Sequence, residues 1–129
     1  MNICFDVDGT ITTQPEFFKV LSHAVKKSGG AVHIVTSRTR TVETKNATRE
    51  ELKGYGIAYD HLFIIHDRSE ADRICPVGGL DWYQRYVFQK LIYCRANKIE
   101  LYIDDEQIVI DLFKRYMPEI QVMQMHKKE

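Results

Sequence analysis

Apolar positions along this chain fall into two kinds of pattern. In the first they run almost without interruption for a few residues and then stop at polar ones, as strands buried on both faces of a parallel sheet do. Asn2 to Val7, Ala31 to Thr36 (AVHIVT), His61 to His66 (HLFIIH), Ile99 to Ile103 (IELYI) and Glu119 to Met123 read this way. In the second they recur at helical spacing. From Pro15 onward Phe17, Phe18, Val20, Leu21, Ala24 and Val25 predict a helix that Ser28-Gly29-Gly30 ends. A polar helix is expected from about Thr41 to Lys53, closed by Gly54-Tyr55-Gly56. Helices are also expected over Lys90 to Asn97 and Ile108 to Tyr116, the latter broken before Pro118. Asp81 to Phe88 fits either an extended segment or an early helix. Asp67 to Gly79, with Pro76 and Gly78-Gly79, reads as a long loop, and the length of that irregular stretch makes it a candidate functional loop.

Strands alternating with helices predict an α/β fold, a Rossmann-like parallel sheet with helices on both faces, built as one domain over residues 1–129. Ligands bind such sheets at the carboxyl ends of the strands. That rule sorts the polar residues. Asp6 and Asp8, Thr36 and Ser37, and Asp104 and Asp105 each close a predicted strand, so three separate regions converge on one edge of one sheet.

Composition narrows the partners. Eighteen basic side chains balance eighteen acidic ones, so nucleic acid is not favoured by net charge, although a local basic patch remains compatible with it. Cys4, Cys75 and Cys94 are odd in number and widely spaced, which reads as buried thiols in a reducing, cytoplasmic setting rather than a disulfide or zinc framework. Asp6 and Asp8 interrupt the first apolar run, unlike a signal peptide, and no run is long enough to span a bilayer.

Four carboxylates at one sheet edge repel one another unless a cation joins them, and hard oxygen ligands suit magnesium. A calcium loop counted from Asp6 would need glycine at its sixth position and glutamate at its twelfth, where this chain has Ile11 and Phe17. A carboxylate beside Mg2+, with no serine or cysteine triad, points to an aspartyl nucleophile attacking phosphorus. A second carboxylate two residues on suits proton transfer, and a threonine hydroxyl with a cationic side chain suits the phosphoryl oxygens.

These segments also carry a resemblance. DVDGT after an apolar strand resembles motif I of the haloacid dehalogenase superfamily, HIVTSR its motif II, and YIDDE the double-aspartate form of its motif IV. Lys90, shortly before the last acidic strand, resembles the motif III lysine, so the likeness runs in order from Ile3 to about Glu106. It implies a magnesium-dependent phosphatase in which Asp6 is the nucleophile and Asp8 the general acid/base. Thr36 and Lys90 would hold the phosphoryl group, with Ser37 and Arg38 as further substrate contacts. Mg2+ would sit among Asp6, the carbonyl of Asp8, Asp104 and Asp105. An acid at Asp8 favours phosphate transfer over dehalogenation in this family.

Many members of that family carry a cap domain, but neither the stretch between Asp8 and Thr36 nor that between Thr36 and Lys90 has room for a full one. An uncapped site implies a bulky substrate or closure by a second copy of the chain in a homo-oligomer, and the 67–79 loop is a candidate partial lid. The choice of cation rests on helix register. A helix returning to a parallel sheet brings only its first turn to the strands' carboxyl ends, so Lys90 fits a helix starting near Phe88 and Arg85 one starting near Asp81. Lys98 lies roughly 12 Å further along, at 1.5 Å per residue. Asp67, Arg68 and Arg73 are further candidate substrate contacts, His66 reads as structural, and Trp82, Tyr83 and Tyr86 read as core in preference to stacking platforms. The leading expectation is a phosphomonoester hydrolase for a small phosphorylated metabolite such as a nucleotide or sugar phosphate. The alternatives are a phosphatase of a nucleic-acid end or phosphoprotein, a catalytically idle domain of the same fold, and a phosphoacceptor receiver. The receiver leaves the DVDGT and late DD patterns unexplained.

Overall fold

Five parallel strands make up one sheet in this computed structural model, which describes residues 1–126. They are β1 (Asn2–Phe5), β2 (Ala31–Thr36), β3 (His61–Ile64), β4 (Leu101–Asp104) and β5 (Gln121–Gln124), in the spatial order β3-β2-β1-β4-β5. Five helices connect them: α1 (Pro15–Lys27), α2 (Val42–Tyr55), α3 (Arg68–Ile74), α4 (Trp82–Ala96) and α5 (Gln107–Tyr116). The expected α/β architecture is therefore present. Among the described residues no helix is long and apolar enough to cross a membrane.

Alternation along the strands sends side chains to two separate cores. Ile3 and Phe5 of β1, Val32 and Ile34 of β2 and Ile103 of β4 pack with Phe18 and Val25 of α1 and Leu52 of α2. Cys4, Val35 and Tyr102 point the other way, into Val87, Phe88, Leu91 and Cys94 of α4 and Val109, Leu112 and Phe113 of α5. Cys4 and Cys94 are fully buried among these apolar groups, as expected, whereas Cys75 is only half-buried because it lies just past α3 at the margin of that core. The first two crossovers thus lie on one face and the later ones on the other, and the direction of winding reverses between β1 and β4. That switch point is where an open α/β sheet has a crevice at its carboxyl edge.

Two segments differ from the sequence expectation. The 67–79 stretch is not loop throughout, because α3 occupies its first half. The Asp67 carboxylate accepts the Glu70 N–H at 2.9 Å, and Ala71 is buried. With a single buried apolar residue, α3 offers almost no periodicity to read, and Pro76 and the two glycines break the chain only beyond its end. Asp81 to Phe88 resolves as helix. The Asp81 carboxylate caps α4 by accepting the Gln84 N–H at 2.8 Å, and Gln84 Oε1 accepts the Asp81 N–H at 2.9 Å. The strands also end earlier than expected, at Phe5 and Ile64, while β4 extends through Asp104.

Candidate active site at the β1–β4 switch point

Register places the acidic residues together. Phe5 pairs with Ile103, and the Asp6 N–H continues the ladder onto the Ile103 carbonyl at 3.0 Å, so Asp6 and Asp104 leave adjacent strands side by side. By strand parity both follow Cys4 and Tyr102 onto the α4 face. There Lys90, 1% exposed, donates to Asp6 Oδ1 at 3.1 Å and to Asp104 Oδ2 at 3.0 Å. The Tyr102 hydroxyl also donates to Asp104 Oδ2, and the Glu106 N–H donates to Asp104 Oδ1 at 3.0 Å. Asp105 completes the group: one oxygen each from Asp6, Asp104 and Asp105 lies within 4.8 Å of the others.

The turn after Asp6 is shaped by this cluster. Val7 to Ile11 leaves the sheet with Asp8 extended and Gly9 left-handed at φ 80°. A Cβ at Gly9 would stand 2.1 Å from Asp105 Oδ2, so only glycine lets the chain pass so close to that carboxylate. The same turn brings the Thr10 hydroxyl to Asp6 Oδ2 at 3.3 Å and to Asp105 Oδ1 at 3.5 Å.

Charge inside the cluster does not balance. Three carboxylates face one ammonium. Burial, opposed by Lys90 and reinforced by the Asp104 charge, pushes the Asp6 carboxyl up to about 8. Burial and the neighbouring Asp104 also raise Asp105. Burial alone would lower Lys90, but the Asp6 and Asp104 charges outweigh it and hold the ammonium protonated. Carboxylates raised in this way are short of positive charge, and the donor set is oxygen only. Asp6, Asp104 and Asp105 therefore fit a hard divalent cation such as Mg2+.

The remaining predicted residues separate into those the fold brings here and those it does not. Thr36 ends β2, the strand beside β1, and its buried hydroxyl accepts the Arg38 N–H at 3.2 Å. Asp8 does not join the carboxylate cluster; its side chain, 62% exposed, is clamped by Arg38 at 2.8 and 2.9 Å. The hydrogen bonds from Arg38 hold Asp8 below the usual carboxylate range. Arg38 is steadied in turn by Glu51 at 2.8 Å and Thr48 at 3.0 Å, both on α2. The Ser37 carbonyl accepts from the Tyr86 hydroxyl at 3.3 Å. Arg85 lies outside the site, paired with Asp72 at 2.7 Å, and Arg73 pairs with Glu70 on α3. Trp82 is not a core residue: it is 46% exposed, while Tyr83 and Tyr86 pack partly against the core.

Lys90 is the cation in place, but not through the helix register expected. Because α4 starts at Trp82, a first-turn rule would have selected Arg85. The early turns of α4 instead overhang the sheet edge and pack on α3, so its middle is level with the strand ends. Gln89, which is buried, accepts the His66 N–H at 2.7 Å and donates to the His66 carbonyl at 3.0 Å, just past β3. Lys90 comes directly after it. The sequence alone assigns no role to Tyr102, Glu51 or Gln89, and reads Thr10 only as part of the DVDGT turn. Tyr102 was legible in principle, two residues before Asp104 and so on the same strand face, and Thr10 stands one turn from Asp6. Glu51 and Gln89 carry no local signal.

Fold and site together define a Rossmann-like α/β domain with a lysine-bridged acidic cluster at its topological switch point. No family model and no curated protein matches the sequence. Solved structures share the fold. A chain of the Pnkp1/Rnl/Hen1 complex is 18% identical with a TM-score of 0.66 over 99% of this chain. A chain of the Pnkp1/Rnl/Hen1 RNA repair complex is 15% identical with a TM-score of 0.66, again over 99%. This chain spans 46% and 43% of those two chains, less than half of either.

Proposed function

We propose that this domain is a magnesium-dependent phosphomonoesterase of the haloacid dehalogenase type that removes phosphate from a nucleic-acid end through an aspartyl-phosphate on Asp6. The observation that carries the reading is the Asp6–Lys90–Asp104 bridge with Asp105 beside it, at the switch point where this fold class binds ligands. The fold shared with chains of an RNA repair complex supports the nucleic-acid end over the small metabolite that composition ranked first. Short connections around the sheet edge suit a bulky substrate as well.

Asp6, Asp104 and Asp105 would hold the cation, which when bound supplies positive charge that keeps Asp6 ionised and offsets the phosphoryl charge. The Asp6 carboxylate attacks phosphorus, the ester P–O bond breaks, and the alkoxide leaves with a proton from Asp8. Water then attacks phosphorus, Asp8 takes its proton, and inorganic phosphate departs with Asp6 restored. Lys90 keeps Asp6 and Asp104 in place and faces the phosphoryl charge as it spreads. The Thr36 hydroxyl holds a phosphoryl oxygen. Asp8 works as an acid only once its carboxyl is released from Arg38, so Arg38 exchanges the Asp8 carboxylate for the incoming phosphate. Both are acceptors suited to its two-pronged donor.

Phosphate release from an aryl phosphate and from 3′- and 5′-phosphorylated oligonucleotides, with Mg2+ or chelator, tests the proposal. Wild type should release phosphate only with Mg2+, and Asp6→Asn should be inactive. Activity retained in Asp6→Asn removes the aspartyl nucleophile. Equal or better turnover of nucleotides and sugar phosphates than of oligonucleotides returns the substrate to a metabolite.

A further inference from the structure

Beyond the acidic cluster, a second concavity opens at the carboxyl edge of β3, with a volume of about 680 Å3. That is the size range of pockets that hold drug-sized ligands. Its walls come from the segment after β2 (Thr39 and Arg40), from His66 and Arg68, and from Trp82 and Tyr86 on α4. The Arg68 guanidinium lies 4.4 Å from the centre of the Trp82 ring, and Arg40 lies 5.4 Å from that of Phe63. Neither arginine is ion-paired among the described residues. The acidic lining is already engaged: Glu70 pairs with Arg73, and the Asp67 carboxylate caps α3. Arg68 therefore brings a guanidinium without a carboxylate partner to a cavity walled by Trp82 and Tyr86, while Arg40, also in the wall, lies over Phe63 and donates to the Ile64 carbonyl, with no carboxylate partner either.

The cavity is tied to the active site. Tyr86, in its wall, donates to the Ser37 carbonyl at 3.3 Å, between Thr36 and Arg38. Thr39, on its lip, is three residues from Thr36 and so at most about 11 Å away along the chain. The buried Gln89 that sits beside Lys90 pins both backbone polar groups of His66, which holds the cavity wall in fixed relation to the catalytic lysine. Chain and helix both hand on from phosphoryl site to cavity.

We infer that this cavity receives the nucleotide next to the phosphorylated end of a single-stranded nucleic acid, with Trp82 and Tyr86 as stacking surfaces and Arg40 and Arg68 as contacts to the phosphodiester backbone. Aromatic faces interleaved with unpaired arginines are the common chemistry of single-strand binding, tolerant of base identity. The identity of the strand's end rests on the phosphohydrolase reading above; the stacking surface does not. Balanced net charge is compatible with this, because the positive charge is local and its acidic neighbours are engaged by other partners.

Trp82 is the chain's single tryptophan, so its fluorescence reports on the cavity alone. The experiment titrates the Asp6→Asn protein with a labelled, phosphorylated single-stranded octanucleotide, RNA and DNA in turn, reading tryptophan quenching and label anisotropy at fixed salt. Saturable quenching is expected. Trp82→Ala should weaken binding roughly 5- to 150-fold, the range that loss of one stacked base produces. Trp82→Phe should restore most of it, and Arg68→Ala should weaken binding and flatten its salt dependence. Unfolding curves for each variant exclude global loss of structure, since Trp82 and Arg68 lie on the surface. Absence of quenching, or affinities unchanged in both Trp82→Ala and Arg68→Ala, overturns the proposal. The two readings fail separately. Trp82-dependent binding without aryl phosphate turnover by wild type removes the chemistry and keeps the cavity, whereas turnover without binding does the reverse.

Discussion

Replacing Lys90 by methionine removes one charge while keeping most of the side chain's volume. In the wild type the ammonium bridges two carboxylates, 3.1 Å from Asp6 and 3.0 Å from Asp104, with all three side chains buried. Asp6 is already raised to about 8, so at pH 7 in chelator it holds a proton much of the time, and the ammonium still needs one carboxylate charge opposite it. Without Lys90 that charge must either stay buried and unpaired or be neutralised by a second proton. Breaking a buried pair costs about 3–5 kcal/mol. Protonating an ordinary carboxyl at pH 7, about three units above its usual value, costs about 4 kcal/mol at 1.36 kcal/mol per unit. The two routes agree. The second route carries a pH signature, because at pH 5 the same protonation costs only about 1.5 kcal/mol. Lys90→Met should therefore lose about 4 kcal/mol at pH 7 and less than half of that at pH 5, by urea unfolding in chelator. Adding Asp104→Asn should recover part of the loss, with a coupling of about 2 kcal/mol or more in the double-mutant cycle. A loss of the same size at both pH values would overturn this account, because it would mark a packing defect rather than an unbalanced charge. Arg85→Ala, which breaks a surface pair with Asp72, sets the contrast at under about 1 kcal/mol.

Three further outcomes are expected at the site. In chelator the wild-type protein should lose stability as pH rises from about 4 to about 8, because Asp6 is raised in the fold and binds a proton there that the unfolded chain releases; Asp6→Asn should flatten that slope, and matching slopes in urea titrations would contradict it. Gly9→Ala should weaken Mg2+ binding at least tenfold by calorimetry, since its Cβ would collide with Asp105 and its backbone is left-handed, a conformation costing roughly 1–2 kcal/mol for a non-glycine residue; unchanged affinity would remove Asp105 from the cation site. Arg38→Ala should let the Asp8 carboxyl rise toward its usual range, lowering kcat/KM at least tenfold while moving the basic limb of the pH–rate profile to higher pH; an unmoved limb would take Asp8 out of the acid role.

The alternation of elements, and the sheet edge at which the acidic residues gather, were legible in the amino-acid order alone. Buried parallel strands are nearly continuous in apolar residues, so each one announces itself and its end, and Asp6, Thr36, Asp104 and Asp105 stood out because they sit where those runs stop. Everything that depends on how one element lies over another was set by tertiary packing. Lys90 reaches Asp6 across 84 positions of chain because the middle of α4, rather than its first turn, is level with the strand ends. Asp8 turns away from the cluster because α2 presents Glu51 and Thr48 to hold Arg38 in its path. Trp82 is left exposed, and α3 forms with one buried residue, because α3 and the start of α4 pack on each other beyond the sheet edge. Local pattern reports which face of an element is buried. It does not report how far that element slides along its neighbour, and a shift of one or two helical turns, about 5.4 Å each, decides which side chain meets the carboxylates.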